Sequence, residues 1–357
     1  MSYINSLSQT LFLQNAIKSQ NQNLTVLQQI IASGGQKAQD FSGFTPSVGN
    51  LDLQLRGSLA RNSAYKDTIS TLSTRTAAIE TALTSVDSGI NYLNNTIVQL
   101  NVQDPTGTAV QQTAFSTLEQ SVSQLNATSA GIPLFSGIAL NTNNAPSYPI
   151  QSAANLQAGL RATIVGPFAA GAAGIAAANA AVSNYFAQTS NWFVPGAAGV
   201  PAAPAQIADD QTIQASVTAN PNSPPGNVFG SAIRDSLAES TGVATIKASD
   251  FADFNVATGT SATYTQWLVG QNALLNSAST KINNAVALNG IVRHTLGDQQ
   301  TVTDTSTNLL QQNLDQAEIQ DVAQSVTSLN NLQTQLQATY QVTAQLKGLS
   351  LANFLPA

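Results

Sequence analysis

No cysteine occurs among the 357 residues, so neither a disulfide framework nor a thiolate metal site can be built. That absence suits a protein made inside the cell and used outside it without oxidative folding. Charge is scarce as well. Charged residues make up 8% of the chain, against about 25% in ordinary globular proteins, and Asn, Gln, Ser and Thr stand where Lys and Glu would normally sit. The net charge of −6 argues against nucleic acid or an anionic membrane as a partner. No run of about 18 apolar residues is present for membrane insertion. The opening MSYINSLSQTLFLQN has no basic segment ahead of a continuous apolar core, so it does not read as an ordinary cleaved signal peptide.

Catalytic vocabulary is equally thin. The chain has one histidine, His294 in IVRHTLG, with no HExxH and no second histidine to share a metal, so a helix-surface histidine is expected. Asp209-Asp210 lacks an EF-hand loop and reads as a solvated turn. GPFAAGAAG (166–174) follows a possible strand but lacks the Lys-Ser/Thr ending of a phosphate cradle. No GxSxG elbow occurs. Trp192-Phe193 is expected in a core rather than at a surface binding spot. The sequence thus points to no catalytic residue, no metal ligand and no cofactor: the expectation is a protein that is not an enzyme.

What the chain does have is period. Tyr65, Ile69, Leu72, Thr76, Ile79, Leu83, Val86, Ile90, Leu93, Ile97 and Leu100 recur in alternating steps of four and three. That heptad seam, held for about five repeats, marks a long helix packed against others. Asn50 is placed to cap it, with Leu51, Leu55 and Leu59 in its first turns. From 50 to 100 it would extend roughly 75 Å. DPTG (104–107) breaks it, and Val110, Phe115, Leu118, Val122 and Leu125 line the next helix. The period returns after 260 through Leu268, Leu275, Ala278, Ile282, Ala285, Val292 and Leu296, with a kink expected at Gly297-Asp298. The bundle core is therefore expected to include Ile69, Leu72, Ile79, Leu83, Val86, Ile90, Leu93, Ile97, Leu100, Ile282, Val292 and Leu296.

Two further amphipathic segments lie outside this bundle. One carries Ile4, Leu7, Leu11, Ile17, Leu24, Leu27 and Ile31 and stops at Gly34-Gly35; the other carries Val322, Val326, Leu329, Leu332, Leu336, Tyr340, Leu346 and Leu349. Each stripe is either an intramolecular core or a surface packed between subunits. Their terminal position favours the second, as do polar faces made of Gln and Asn, which tolerate burial better than Lys or Glu. Between the helical ends, 141–259 is rich in Ala, Gly and Pro. RATIVG (161–166) and TIQASVTA (212–219) look like strands, while the Ala-rich run 169–181 is open to a short helix. The resulting expectation is a mainly α chain: a long antiparallel coiled-coil bundle from N- and C-terminal helices with an inserted β-containing outer domain. Its parts would be assembly helices at 1–45 and 318–357, a helical bundle at 46–140 and 260–317, and the insert at 141–259.

This layout resembles the flagellin superfamily. LTVLQQIIASGGQKAQDFSG (24–43) is similar to that family's N-terminal helix and short Ser-Gly loop, although the usual Arg-Ile/Val and paired Asp are missing and Gln36, Lys37 and Asp40 are the nearest matches. GIPLFSGIALNTNNAP (131–146), LQATY (336–340) and GLSL (348–351) are similar to segments of the hook-associated protein 3, or hook–filament junction, branch. TIQASVTANPNSPPGNVF (212–229) is loosely similar to the segment that ends the family's insert. The resemblance covers roughly 1–146 and 265–355, and it implies terminal helices that fold on assembly into a tubular ring or filament. It further implies an extracellular place in the bacterial flagellum and export through the flagellar type III apparatus with a chaperone. Hook-associated protein 1 and flagellin would be the neighbours. Filament flagellin itself is the alternative within the family, and a secreted coiled-coil adhesin is the alternative outside it.

Overall fold

The computed structural model describes residues 2–32, 46–100, 104, 106–137, 149–194, 204–222 and 226–352; side chains at 2–13, 30, 46–48, 100, 318–321 and 346–352 lie outside that description. Eight α-helices occur among the described residues: α1 (Ser2–Ala32), α2 (Pro46–Leu100), α3 (Thr108–Leu125), α4 (Ala153–Thr163), α5 (Ala172–Ala187), α6 (Thr189–Trp192), α7 (Val228–Thr245) and α8 (Ala262–Ala352). Two two-stranded antiparallel sheets accompany them, β1 (Thr128–Ser129) with β2 (Ile132–Pro133), and β3 (Ala205–Ala208) with β4 (Gln211–Ile213). The fold is mainly α, with long helices packed on one another. It divides into two units, one of residues 1–64 and 302–357, the other of residues 65–301.

In the second unit the heptad seam of α2 is dry. Ile69, Ile79, Leu83, Val86, Ile90, Leu93 and Ile97 are fully buried, together with Leu275, Ile282, Ala285 and Leu296 of α8. Leu72 and Val292 are half-buried, and the Leu100 side chain lies outside the described residues. Polar side chains fix the pairing along the rim. Asn289 Nδ2 donates to Thr76 O at 2.8 Å, Arg293 pairs with Glu80, Ser279 donates to Asp87 and Asn94 Nδ2 donates to Asn276 Oδ1 at 2.9 Å. Over the length of the seam the partners run backwards, from Asn289 opposite Thr76 to Asn276 opposite Asn94, so the two helices run antiparallel.

The start of α2 differs from expectation. Its helix begins at Pro46, where the ring's fixed φ suits a first turn whose N–H would be unpartnered anyway, so Asn50 lies one turn inside and caps nothing. Gly297-Asp298 lies inside α8, which continues as one helix through it; Thr301 Oγ1 donates to Gly297 O at 3.1 Å. The break at 104–107 holds and has a clear local cause. Asp104 Oδ2 accepts from Ala109 N at 2.7 Å, while Thr106 donates to Oδ1, which satisfies the first donors of α3. Gly107 supplies the φ of +71° that the turn into α3 requires. The β1–β2 hairpin turns at Ala130 and Gly131, both at positive φ, and the Arg75 guanidinium donates to Pro133 O and Leu134 O at 2.8 and 2.9 Å.

The stretch expected as a β-containing outer domain does carry the β3–β4 hairpin, but most of its regular structure is helical. Arg161–Thr163 close α4 rather than open a strand, and only Thr212-Ile213 of the second expected strand pair in a ladder. The Ala-rich run enters α5. Ala is the best helix former, and Ala178, Val182, Tyr185 and Phe186 recur on one buried face. Nor does the stretch have a core of its own. Leu156, Leu160, Val182, Phe186, Trp192, Ile233 and Leu237 belong to one continuous apolar cluster with the α2, α3 and α8 seam residues. Trp192 and Phe193 are buried, with Trp192 Nε1 donating to Phe186 O at 3.1 Å. A Phe251–Tyr264–Trp267 group closes the same core beside α8. Arg161 grips the buried Asp250 through both carboxylate oxygens, tying the end of α4 to the 3₁₀ turn Ala248–Asp250.

Candidate assembly surface

The first unit contrasts with the second in how its apolar side chains are covered. Ile17, Leu24, Leu27 and Ile31 of α1 are half-buried, as are Val322, Leu329 and Leu332 of α8. Leu336 is 6% exposed, whereas Val326 and Tyr340 are 38% and 51% exposed. The side chains of Ile4, Leu7, Leu11, Leu346 and Leu349 lie outside the described residues. Among the described side chains of this unit, Leu55, Leu314, Ala317 and Leu336 are the buried hydrophobics, while Leu51, Leu53, Val302 and Leu309 are open to solvent. Asn62 Nδ2 donates to Ser306 Oγ at 3.0 Å within it. A helix stripe packed on one side only leaves this pattern of half-covered residues.

The polar faces of these helices carry little charge to lose water. Lys18 is the single charged residue in 2–32 and Lys347 the single one in 322–352. Threonine hydroxyls are turned inward: Thr25 donates to Asn21 O, Thr327 to Ala323 O, Thr334 to Asn330 O, Thr339 to Gln335 O and Thr343 to Thr339 O, at 2.7–3.1 Å. Each such bond closes within its own helix and is kept when the surface is covered. A hydroxyl already bonded inside costs less to desolvate than one that must give up water.

The side chains able to do chemistry are dispersed. His294 is exposed and pairs with Asp298 at 2.8 Å, one turn along the same helix. Asp209-Asp210 form the β3–β4 turn, and Tyr65 Oη donates to Asp209 Oδ1 at 2.8 Å. Among the described residues no group of three or more His, Cys, Asp or Glu is gathered that would hold a metal ion. An open groove of about 590 Å³ is lined by Val217, Phe229, Leu288, Ile291 and Val292 with Asn227 and Asn289, and no titratable side chain faces it. A smaller cavity of about 180 Å³ lies among α5, α7 and α8 and includes Glu239. No residue of α7 stood out in the sequence. The signal available was a lone Glu in LAESTGV, flanked by residues that are all buried. Among the described residues no helix is long and apolar enough to cross a membrane.

No family model matches the chain, and no curated protein matches it. Among solved structures, a protein of Vibrio parahaemolyticus provisionally identified as a flagellar hook-associated protein is similar to it, with a TM-score of 0.51 over 77% of this chain and 99% of that one at 13% identity. At that identity the likeness is one of architecture: the chain has a flagellar hook-associated-type fold.

Proposed function

We propose that the protein is a non-enzymatic structural subunit of the bacterial flagellum, and that its place is the junction between hook and filament. The observation that carries this reading is the half-covered, almost uncharged surface of α1 and the later part of α8, on a chain with a hook-associated-type fold. A second copy, or a related axial subunit, supplies the missing faces of those stripes, and burial at about 25 cal/mol per Å² of apolar surface drives the association. The scarcity of charge serves the same end, since stacked copies bring identical surfaces together and like charges there repel. In this reading α2, α3 and the first part of α8 form the rigid body of the subunit, and the work done is mechanical. Export as an extended chain, with a chaperone holding the apolar stripes, belongs to the same proposal.

Immunogold electron microscopy with antibody against residues 150–250 tests the location. Gold confined to a band where hook meets filament is the expected result. Gold along the whole filament would make the protein the filament subunit, and label away from flagella would remove the flagellar reading. Deleting residues 322–357 tests the surface: the shortened chain should remain soluble, keep the thermal transition of the second unit and fail to assemble. Polymers formed at the same rate as by the full chain would end the assembly assignment of α8.

A further inference from the structure

Between Ala278 and Leu296 the heptad repeat of α8 runs through one polar residue. Ala278, Ile282, Ala285, Val292 and Leu296 leave a gap that Asn289 fills, four residues after Ala285 and three before Val292. Asn289 is buried at that seam position, and its Nδ2 donates to Thr76 O at 2.8 Å. Thr76, buried as well, holds the facing seam position of α2. Gly290 comes next, and this is the one Asn-Gly pair in the chain. Packing does not require the glycine: a Cβ there would meet nothing within 4 Å, and the residue lies inside a helix. Glycine is nevertheless the poorest helix former after proline.

We propose that Asn289-Gly290 is a deamidation site that folding closes, so that damage there measures how long the chain has stood unfolded. The Gly290 main-chain nitrogen, giving its proton to solvent base, attacks Asn289 Cγ. A bond forms between that nitrogen and Cγ, the Cγ–Nδ2 bond breaks, and ammonia leaves. Water then opens the succinimide at either carbonyl, giving aspartate or, with the main chain rerouted through Cγ, isoaspartate. Glycine favours the attack because no side chain shields its nitrogen. In the folded chain the same step is blocked. The Asn289 ψ is held in the helical range, far from the value that ring closure needs, and the Gly290 N–H is engaged in the helix. The departing amide is tied to Thr76 O.

An acid at 289 does not suit the seam. A carboxylate there faces the Thr76 carbonyl, acceptor against acceptor. Arg293, one turn on along α8, is held by Glu80, and Arg75 by the carbonyls of Pro133 and Leu134. The groove that Asn289 borders is walled by Val217, Phe229, Leu288, Ile291 and Val292 and offers no cation. A buried unpaired charge opposes folding, and isoaspartate adds a methylene to the main chain in mid-helix.

To test this, the full-length protein is held in mildly alkaline denaturant for increasing times, beside an equal sample kept folded, and both are returned to native buffer. Peptide mass spectrometry should show Asn289 converting ahead of the other asparagines in the unfolded sample and staying unconverted in the folded one. The recovered thermal transition of the second unit should fall in step with conversion. Gly290→Ala, whose methyl has room, should convert several-fold more slowly and keep its ability to refold. Conversion at equal rates in the folded and unfolded chains would overturn the proposal. So would a converted chain that refolds to the wild-type melting temperature, or an Asn289→Asp variant that melts with the wild type; neither result depends on how G290A folds.

Discussion

At the scale of single residues, two carboxyls show how position decides behaviour. Glu239 is raised because little compensates its burial; Asp253 is lowered although desolvation pulls it the other way. Asp253 accepts from Ser261 Oγ, from Thr263 N at 2.9 Å and from Thr263 Oγ1 at 2.9 Å, so the ahead-of-helix carboxylate of α8 is stabilised in its charged form. A depressed carboxyl contributes stability that is complete above its unfolded value and lost as pH falls through its folded one. Asp253→Asn should therefore lower the melting temperature at neutral pH, and the deficit should shrink as the solution is acidified below the usual carboxylate range. Calorimetry of the two proteins over an acid series reads this directly. Gly107 is a second sharp case. A Cβ there would stand 2.2 Å from Tyr264 Oη, on a residue held at φ +71°. Tyr264 is packed between Phe251 and Trp267 and has no room to withdraw. Gly107→Ala should destabilise the fold by about 2–4 kcal/mol, measured by denaturant unfolding.

At the scale of helices, the seam was legible because its alternation of four and three leaves little else for Ile79, Leu83, Val86 and Ile90 to do than face a partner. Ile90→Asp places an unpaired charge in that dry seam. It should cost about 3–5 kcal/mol, and an unchanged melting temperature would contradict the placement of Ile90. The break at Asp104–Gly107 was legible for a similar reason: its turn chemistry is local. The insert was harder to read. In α5, Gly174 and Ala178 stand on the buried face and alanines fill much of the open one, so the periodic trace in residue type is left to Val182, Tyr185 and Phe186 at the end of the helix. In α4, Leu156 and Leu160 carry the buried face with Ala153, and the run Ala162–Val165 looks extended by composition while its first residues complete a helix. The start of α2 is hard to read from sequence because Asn50 has the chemistry of a cap, while Pro46 carries the conformational preference that prevails. Nor does sequence reveal that the insert and the bundle share one core, since that depends on which faces of α3 and α7 meet.

At the scale of the whole molecule, the second unit has a continuous buried core, whereas most described apolar side chains of the stripes in the first unit are only half covered. The stripes at 17–31 and 322–340 could be read from period. Their partial cover could not, because a sequence shows where an apolar face lies and never how much of it the rest of the chain covers. The proposed association through so uncharged a surface should respond little to ionic strength: raising salt from about 0.05 M to about 0.5 M should leave the rate of polymer formation, followed by light scattering, within about threefold. A steep fall with salt would point to charge pairing instead. The polar rungs joining α2 to α8 carry a consequence for descent. Removing one residue from α2 between Thr76 and Asn94 would rotate every later rung off its partner at once. Removing about seven residues, two turns, restores the facing side but still strands the rungs unless α8 loses the same length opposite. Relatives of this chain should accordingly differ in the length of this hairpin by whole heptads deleted or gained together on both arms, leaving single insertions to the connections between helices.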